Sequence, residues 1–319
     1  MTHRKYAITN DGNGLVPIVE FDGPALEFDF PGLRVGVAEY AEGPTGCTVI
    51  EFPRGSTGLS DVRGGSVATV LTFREGWVDA VCLAGGSVYG LEAAAGVSAE
   101  LLARKNYDTD WMNIAIVSGA VIYDFNRFRT NRAVYPDKLL GRAALRAARE
   151  GSFPLGPRGA GACATVGKWL GAPYELERAG QGAACYRDGD SRVAVFTVVN
   201  AVGGLVDRSG GAVRGHRDET TGRRSRMRDA TPPRNEPTGG NTTLTVVVVN
   251  QSLEVRQLRQ LARQVHSSMA RAIEPFHTLH DGDVLYAIAT NQIGDSPLGY
   301  AGLAHVASEL AWDAVLTSF

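Results

Sequence analysis

The stretch Gly239-Gly240-Asn241-Thr242-Thr243-Leu244-Thr245-Val246-Val247-Val248-Val249 decides the reading of this chain. From Thr242 onward it is rich in β-branched residues and apolar on both faces. That pattern reads as a central strand buried on both sides. Residues 207–240, which precede it, are polar, charged and rich in Pro and Gly, with almost no apolar periodicity. They read as a long surface loop. A polar loop that passes abruptly into a buried strand invites a specific chemistry. If the Asn241–Thr242 bond were cut, Thr242 would become an N-terminal residue at the mouth of that strand. Its hydroxyl would be the nucleophile and its own α-amine, with an ordinary pKa of ~7.7–8, the base. The plain alternative is that Thr242 simply begins a strand.

Around this boundary the chain alternates strands and helices. Leu33–Glu39, Cys47–Phe52, Ser66–Thr72, Ala80–Ala84, Val193–Asn200 and Val284–Thr290 read as strands. A glycine turn at Gly85–Gly90 leads into a small-residue helix, and residues 138–150 form an amphipathic one. After Ser252, a candidate N-cap, Leu253, Leu258, Leu261, Val265, Met269 and Ile273 recur at helical spacing until Pro275. Residues 301–317 close the chain as a helix with Leu303, Val306, Leu310 and Val315 inward. Runs of consecutive strands favour a layered α/β fold over a purely alternating parallel sheet.

Composition excludes several classes. The 319 residues carry 32 Lys+Arg against 34 Asp+Glu, a formal charge of -2, so no net attraction to nucleic acid or anionic lipid is expected. The arginines of the 207–240 segment lack interleaved aromatics and are mixed with acids, so a solvated loop is the better reading. No apolar run approaches the ~20 residues of a membrane span, and the N-terminus shows no secretory h-region. Cys47, Cys82, Cys163 and Cys185 are too scattered for a zinc knuckle or a disulfide framework, which fits reduced thiols in a cytoplasm. The 39 glycines exceed the usual ~7% and lie mostly between apolar runs, as tight turns do.

Beside the boundary, several polar residues stand out. Asp281-Gly282-Asp283 sets two carboxylates two residues apart at a strand start, pointing the same way. Like charges held close separate their pKa values, which suits proton handling, and the glycine lets backbone approach. A solvated turn, or a metal site with His277 and His280, are the alternatives. His266 falls near the apolar helix face as a partly buried histidine. Lys168 follows a glycine-rich turn and is either an exposed cation or the positive charge of a site. Asn200 ends its strand, where its amide either caps a turn or donates to an oxyanion. Tyr123 reads as a buried aromatic with a polar tip. Gly85–Gly90 is not a GxGxxG, and no acidic partner stands at the spacing of a dinucleotide fold, so no nicotinamide cofactor is expected.

Longer stretches carry a resemblance. FDFPGLRVG, EGPTGCTVI, DVRGG, CLAGGSVYGLEAAAGVS, AVIYDF, AVYPDKLLGRAAL, GNTT, QVHSSMARAIEPFHTLHDGD and WDAVL span about Phe30 to Leu316. On these the chain resembles the nylon-oligomer (6-aminohexanoate-oligomer) hydrolases. Those belong with the self-processing D-aminopeptidases and β-peptidyl aminopeptidases, which are N-terminal nucleophile hydrolases. The resemblance implies a four-layer α/β/β/α sandwich of the ornithine acetyltransferase type, assembled as homodimers or tetramers. It implies self-cleavage between Asn241 and Thr242 into fragments 1–241 and 242–319, with 207–240 the processing loop. Thr242 is then the nucleophile. Lys168, Asn200, Asp281 and Asp283 are the polar residues around it, Tyr123 lines the site, and Gly85 and Gly86 belong to the substrate and oxyanion environment. No cofactor or metal is implied. A Thr nucleophile with the DGD motif stands nearer the nylon-oligomer hydrolases than the aminopeptidases, whose nucleophile is typically Ser. The shorter N-terminus and the sequence of 216–238 depart from the pattern. The implied reaction is hydrolysis of aliphatic amides through an acyl-enzyme. D-amino-acid or β-peptidyl aminopeptidase activity, acyl transfer to amines, and an uncleaved binding protein are the rivals.

Overall fold

A computed structural model describes residues 8–12, 14–71, 76–230, 240–294 and 297–319. Its principal strands are β1 (Arg34–Tyr40), β2 (Thr45–Val62), β3 (Gly76–Ala84), β4 (Val117–Val121), β5 (Gln181–Asp188), β6 (Ser191–Asn200), β7 (Thr242–Gln251) and β8 (Val284–Ile293). The helices are α1 (Glu92–Arg104), α2 (Lys138–Arg146), α3 (Val255–Ser268) and α4 (Gly299–Leu316). Hydrogen bonding links the strands in the order β5-β6-β7-β8-β2-β3-β4, and β1 pairs with β2. The β7–β8 and β3–β4 pairs are parallel, and α3 supplies the crossover that a parallel β7–β8 pair requires. Within β2 the register with β3 breaks between Glu51 and Ser56, so its first part pairs with β1 and its last with β8.

Strand alternation sorts the apolar residues into three buried layers. Leu244, Val246 and Val248 of β7 share a core with Val35, Ile50, Val81, Leu83 and Phe196. Val247 and Val249, on the opposite face, pack with Leu258 and Leu261 of α3 and Leu303 and Leu310 of α4. Cys47 and Val49 of β2 and Cys82 of β3 pack with Val97 of α1 and Leu140 of α2. Three cores between two sheet faces and two helical pairs fit the four-layer expectation. The small-residue helix packs as closely as its composition allows: a Cβ on Gly119 of β4 would come within 2.8 Å of the Ala94 side chain.

Strand β7 lies between β6 and β8 with every residue buried, as its β-branched run requires. Other boundaries differ from the sequence reading. Helix α3 is capped by Glu254 and Gln257 in a capping box, not by Ser252. It stops at Ser268, and Ile273–Glu274 is a strand paired with Gly204–Leu205, because the residue before Pro275 favours extended backbone. Of the Ser66–Thr72 strand only Thr69–Val70 pairs, and Thr72 lies outside the described residues. So do residues 231–239 of the expected processing loop. Residues 207–230 carry short strands at Ala212–Arg214 and Arg217–Asp218. Several of their arginines are tied down by partners far off in sequence: Arg208 to Glu309 and Asp313, Arg224 to Glu177, Arg226 to Glu274. The four cysteines are free thiols. Among the described residues no helix is long and apolar enough to cross a membrane.

Candidate active site

The end of β7 is where the candidate residues meet. Asn200, the last residue of β6, pairs directly with Thr242, the first of β7. Asn241 makes a parallel bridge to Asp281, which brings the turn before β8 alongside the same point. Thr242 is 4% exposed and its hydroxyl donates to the Asn241 carbonyl oxygen. The Gly282 N–H donates to that same oxygen at 2.7 Å. A side-chain hydroxyl and a backbone N–H therefore both donate to one carbonyl oxygen. Only glycine fits at 282, since a Cβ there would come within 2.7 Å of both the Thr242 hydroxyl and the Ser66 carbonyl oxygen. The DVRGG stretch has its own part in this packing: Ser66 donates its N–H to Asp281 O, and Gly64 lies against the Asp281–Asp283 backbone.

Asp281 and Asp283 are both buried, yet their oxygens serve different partners. Asp281 accepts from Val202 N at 3.3 Å through one oxygen, and from Thr278 N and Oγ1 at 3.1 and 2.6 Å through the other. Asp283 accepts from Thr243 N at 2.6 Å, one residue past the candidate nucleophile. Its other oxygen takes His277 Nδ1 at 2.9 Å. Burial and then the charge of Asp283 raise the Asp281 pKa, against the donors from Thr278 and Val202. Each oxygen of both carboxylates accepts at least one protein hydrogen. Among the described residues no group of three or more His, Cys, Asp or Glu is placed to hold a metal ion.

Lys168 and Asn200 form one unit. Lys168 Nζ donates to Asn200 O at 2.9 Å and Oδ1 at 2.8 Å, and Thr165 N donates to the same Oδ1 at 3.0 Å. These donors fix the amide so that its Nδ2 points to Tyr123 O, 2.9 Å away. Asn200 thus joins the Tyr123 loop, the Lys168 turn and the start of β7. Burial pulls the Lys168 pKa down to about 7, against the opposing pull of Asp281 and Asp124.

A cavity of about 460 Å³ opens beside this unit. Lys168, Tyr123, Phe125, Leu170, Leu176 and Gly240 are among the residues that line it. Tyr123 is 39% exposed, so it lies at the mouth and is not the buried aromatic expected. It follows the fully buried Ile122, where the chain leaves the sheet. Gly85 and Gly86 sit at the turn after β3. Their N–H groups donate to Gly46 O and to Asp124 Oδ1, so those hydrogens hold the loop and are not offered to an oxyanion. Asp124 is fully buried against Arg129, which keeps that glycine turn in place. The Gly282 amide and His277 carried no mark as donors in the sequence reading. The glycine between two aspartates was their one signal.

Several known proteins are similar to this chain. The chain is 45% identical over 327 aligned residues to a 6-aminohexanoate-oligomer endohydrolase of Agromyces sp. (strain KY5R), covering 96% of this chain and 89% of that one. It is 46% identical over 322 aligned residues to the enzyme of that name from Kocuria sp. (strain KY2), covering 95% and 88%. Among solved structures, the L-aminopeptidase D-Ala-esterase/amidase of Ochrobactrum anthropi, described as a variant of the Ntn hydrolase fold, superposes with a TM-score of 0.64 at 17% identity, covering 94% of this chain and 88% of that one. Residues 28–318 match peptidase family S58, and the chain belongs to that family.

Proposed function

We propose that this chain is a self-processing N-terminal nucleophile amidohydrolase that cuts aliphatic amide bonds of the 6-aminohexanoate-oligomer kind. The observation that carries the reading is the Asn241 carbonyl, addressed by the Thr242 hydroxyl and the Gly282 N–H together. In processing, Thr242 Oγ bonds to the Asn241 carbonyl carbon and the C–N bond breaks, which leaves an ester. Water opens the ester, giving an Asn241 carboxylate and a free Thr242 amine. The amide nitrogen of the intact chain is no base, so the hydroxyl proton needs another acceptor. We assign that role to Lys168, which is hydrogen-bonded to Asn200, the residue paired with Thr242, and whose pKa burial lowers to about 7; the proton passes on to the departing nitrogen. The Gly282 N–H holds the negative charge that develops on the carbonyl oxygen.

In the mature enzyme the Thr242 amine becomes the base, and a substrate amide takes the place of the Asn241 carbonyl. An acyl-enzyme forms on Thr242 Oγ and water releases it. The second hydrogen on Asn200 Nδ2 is a further oxyanion donor. Asp281 and Asp283 hold the strand end and the 200–203 turn around the reacting atoms. Tyr123, Phe125, Leu170 and Leu176 give the cavity an apolar wall suited to a methylene chain, and the names of the close relatives favour the same substrate class. The test is hydrolysis of soluble 6-aminohexanoate oligomers by cleaved protein, beside β-peptides and D-amino-acid amides. Turnover of the oligomers supports the reading. Exclusive turnover of the peptides would overturn its substrate half.

A further inference from the structure

Asp283 is gripped from the side away from Thr243. Its Oδ2 accepts both the backbone N–H of His277, at 3.2 Å, and the ring Nδ1, at 2.9 Å. Oδ2 already accepts the backbone N–H, and we take Nδ1 as the donor of the ring contact. His277 adopts φ 60, the left-handed region that disfavours a residue with a side chain, so its placement is maintained against a local preference. The ring stacks on Phe276 with centroids 3.8 Å apart and meets the His266 ring edge-on at 4.3 Å. His266 is itself anchored, through Nδ1, to Asp61 of β2 at 2.9 Å. Burial holds the His266 pKa down even though Asp61 pulls it up. The Nε2 atoms of both histidines are buried with no hydrogen-bond partner among the described residues. An apolar side chain would fill this space without that cost, so the Nδ1 contacts are what histidine adds here.

We propose that His277 is a positioning residue for the Thr242 nucleophile, acting through Asp283. The connection runs from Asp61 on β2 through His266 and His277 to Asp283 and the Thr243 N–H. One carboxylate oxygen is devoted to the nucleophile strand, and the other is locked by His277. The inference rests on the reading of Thr242 as nucleophile.

The experiment compares wild type, His277→Gly and His277→Asn as full-length, processed protein on a soluble 6-aminohexanoate oligomer. Both replacements tolerate φ 60, but only Asn can present an N–H near the Nδ1 position. By analogy with outer-shell partners of metal ligands, His277→Gly should lower kcat about 10- to 100-fold with KM within about twofold, and His277→Asn should stay within about fivefold of wild type. Equal activities for Gly and Asn, or a change confined to KM, would overturn the inference. Nitrogen-15 NMR of the wild-type imidazoles needs no variant: His277 should show a protonated Nδ1, and an Nε2–H tautomer alone would also overturn it. A wild type that neither processes nor turns over would overturn the Thr242 reading and this inference with it, whereas an active wild type matched by His277→Gly would overturn this inference alone.

Discussion

Gly282 donates its backbone N–H to the carbonyl oxygen of Asn241 at 2.7 Å. The donor sits between two buried aspartates that are each fastened to another part of the chain, so it is fixed before any reaction begins. Preorganised donors of this kind stabilise a developing oxyanion without reorganisation at the moment of reaction.

Replacing Gly282 tests that placement. In Gly282→Ala the N–H remains, but the new Cβ would meet the Thr242 hydroxyl at 2.7 Å and must displace it. Misplacement of a reacting atom by ~1 Å costs about 10²-fold in rate. Formation of the 242–319 fragment, followed over time by electrophoresis, should slow by about that factor. Processing at the wild-type rate would show that Gly282 is not against the reacting group.

The carboxylates separate by their partners. Asp283→Asn leaves a single acceptor oxygen for donors that now reach two, so either Thr243 N or His277 loses its bond. An orphaned buried donor costs about 1–3 kcal/mol, and kcat should fall while the chain still folds. Unchanged kcat in a processed Asp283→Asn protein would remove Asp283 from the mechanism.

Asp281 has a pKa raised in the folded state, chiefly by burial. A raised carboxylate pKa contributes stability that is full below the unfolded value, near 3.8, and lost as pH rises through the folded value. The melting temperature of wild type minus that of Asp281→Asn should therefore be greatest at acid pH and decline toward neutrality. A difference that grows with pH would show that the Asp281 carboxylate is stabilised by its site.

Lys168 carries the opposite linkage. Its pKa drops from 10.5 to about 7 on burial, so the folded state sheds a proton that the unfolded state keeps between those values. Wild-type stability relative to Lys168→Met should rise from about pH 7 toward 10.5 and be flat below pH 7. Thermal melts of both proteins from pH 6 to 9.5 measure the difference directly. A constant difference would mean that Lys168 keeps its ordinary pKa.

Much of this arrangement was legible in the residues. The run from Thr242 to Val249 reads as a strand buried on both faces, and β7 is one, flanked by β6 and β8. The Asp281-Gly282-Asp283 triplet and Lys168 stood out as polar residues, but a solvated turn and an exposed cation read as well from the residues alone, and only the resemblance favoured a site. Partners were not legible, because a hydrogen bond from Thr243 N to Asp283 or from Lys168 to Asn200 joins positions that no local pattern relates. A backbone donor such as Gly282 N–H leaves no chemical signature in its side chain. Nor does the sequence show that the Gly85 and Gly86 hydrogens turn toward Gly46 and Asp124. Arg208 and Arg224 read as solvated because their acids, Glu309 and Glu177, lie on distant elements.

The central claim is that Thr242 is freed by its own attack on Asn241. Intact-mass spectrometry of purified wild type and Thr242→Ala tests it most directly. Wild type should resolve into fragments 1–241 and 242–319, the smaller one beginning Thr-Thr-Leu-Thr, while Thr242→Ala stays one chain. A Thr242→Ala protein cut at the same bond would contradict the account and point to cyclisation of Asn241, and an uncut, fully active wild type would contradict it outright.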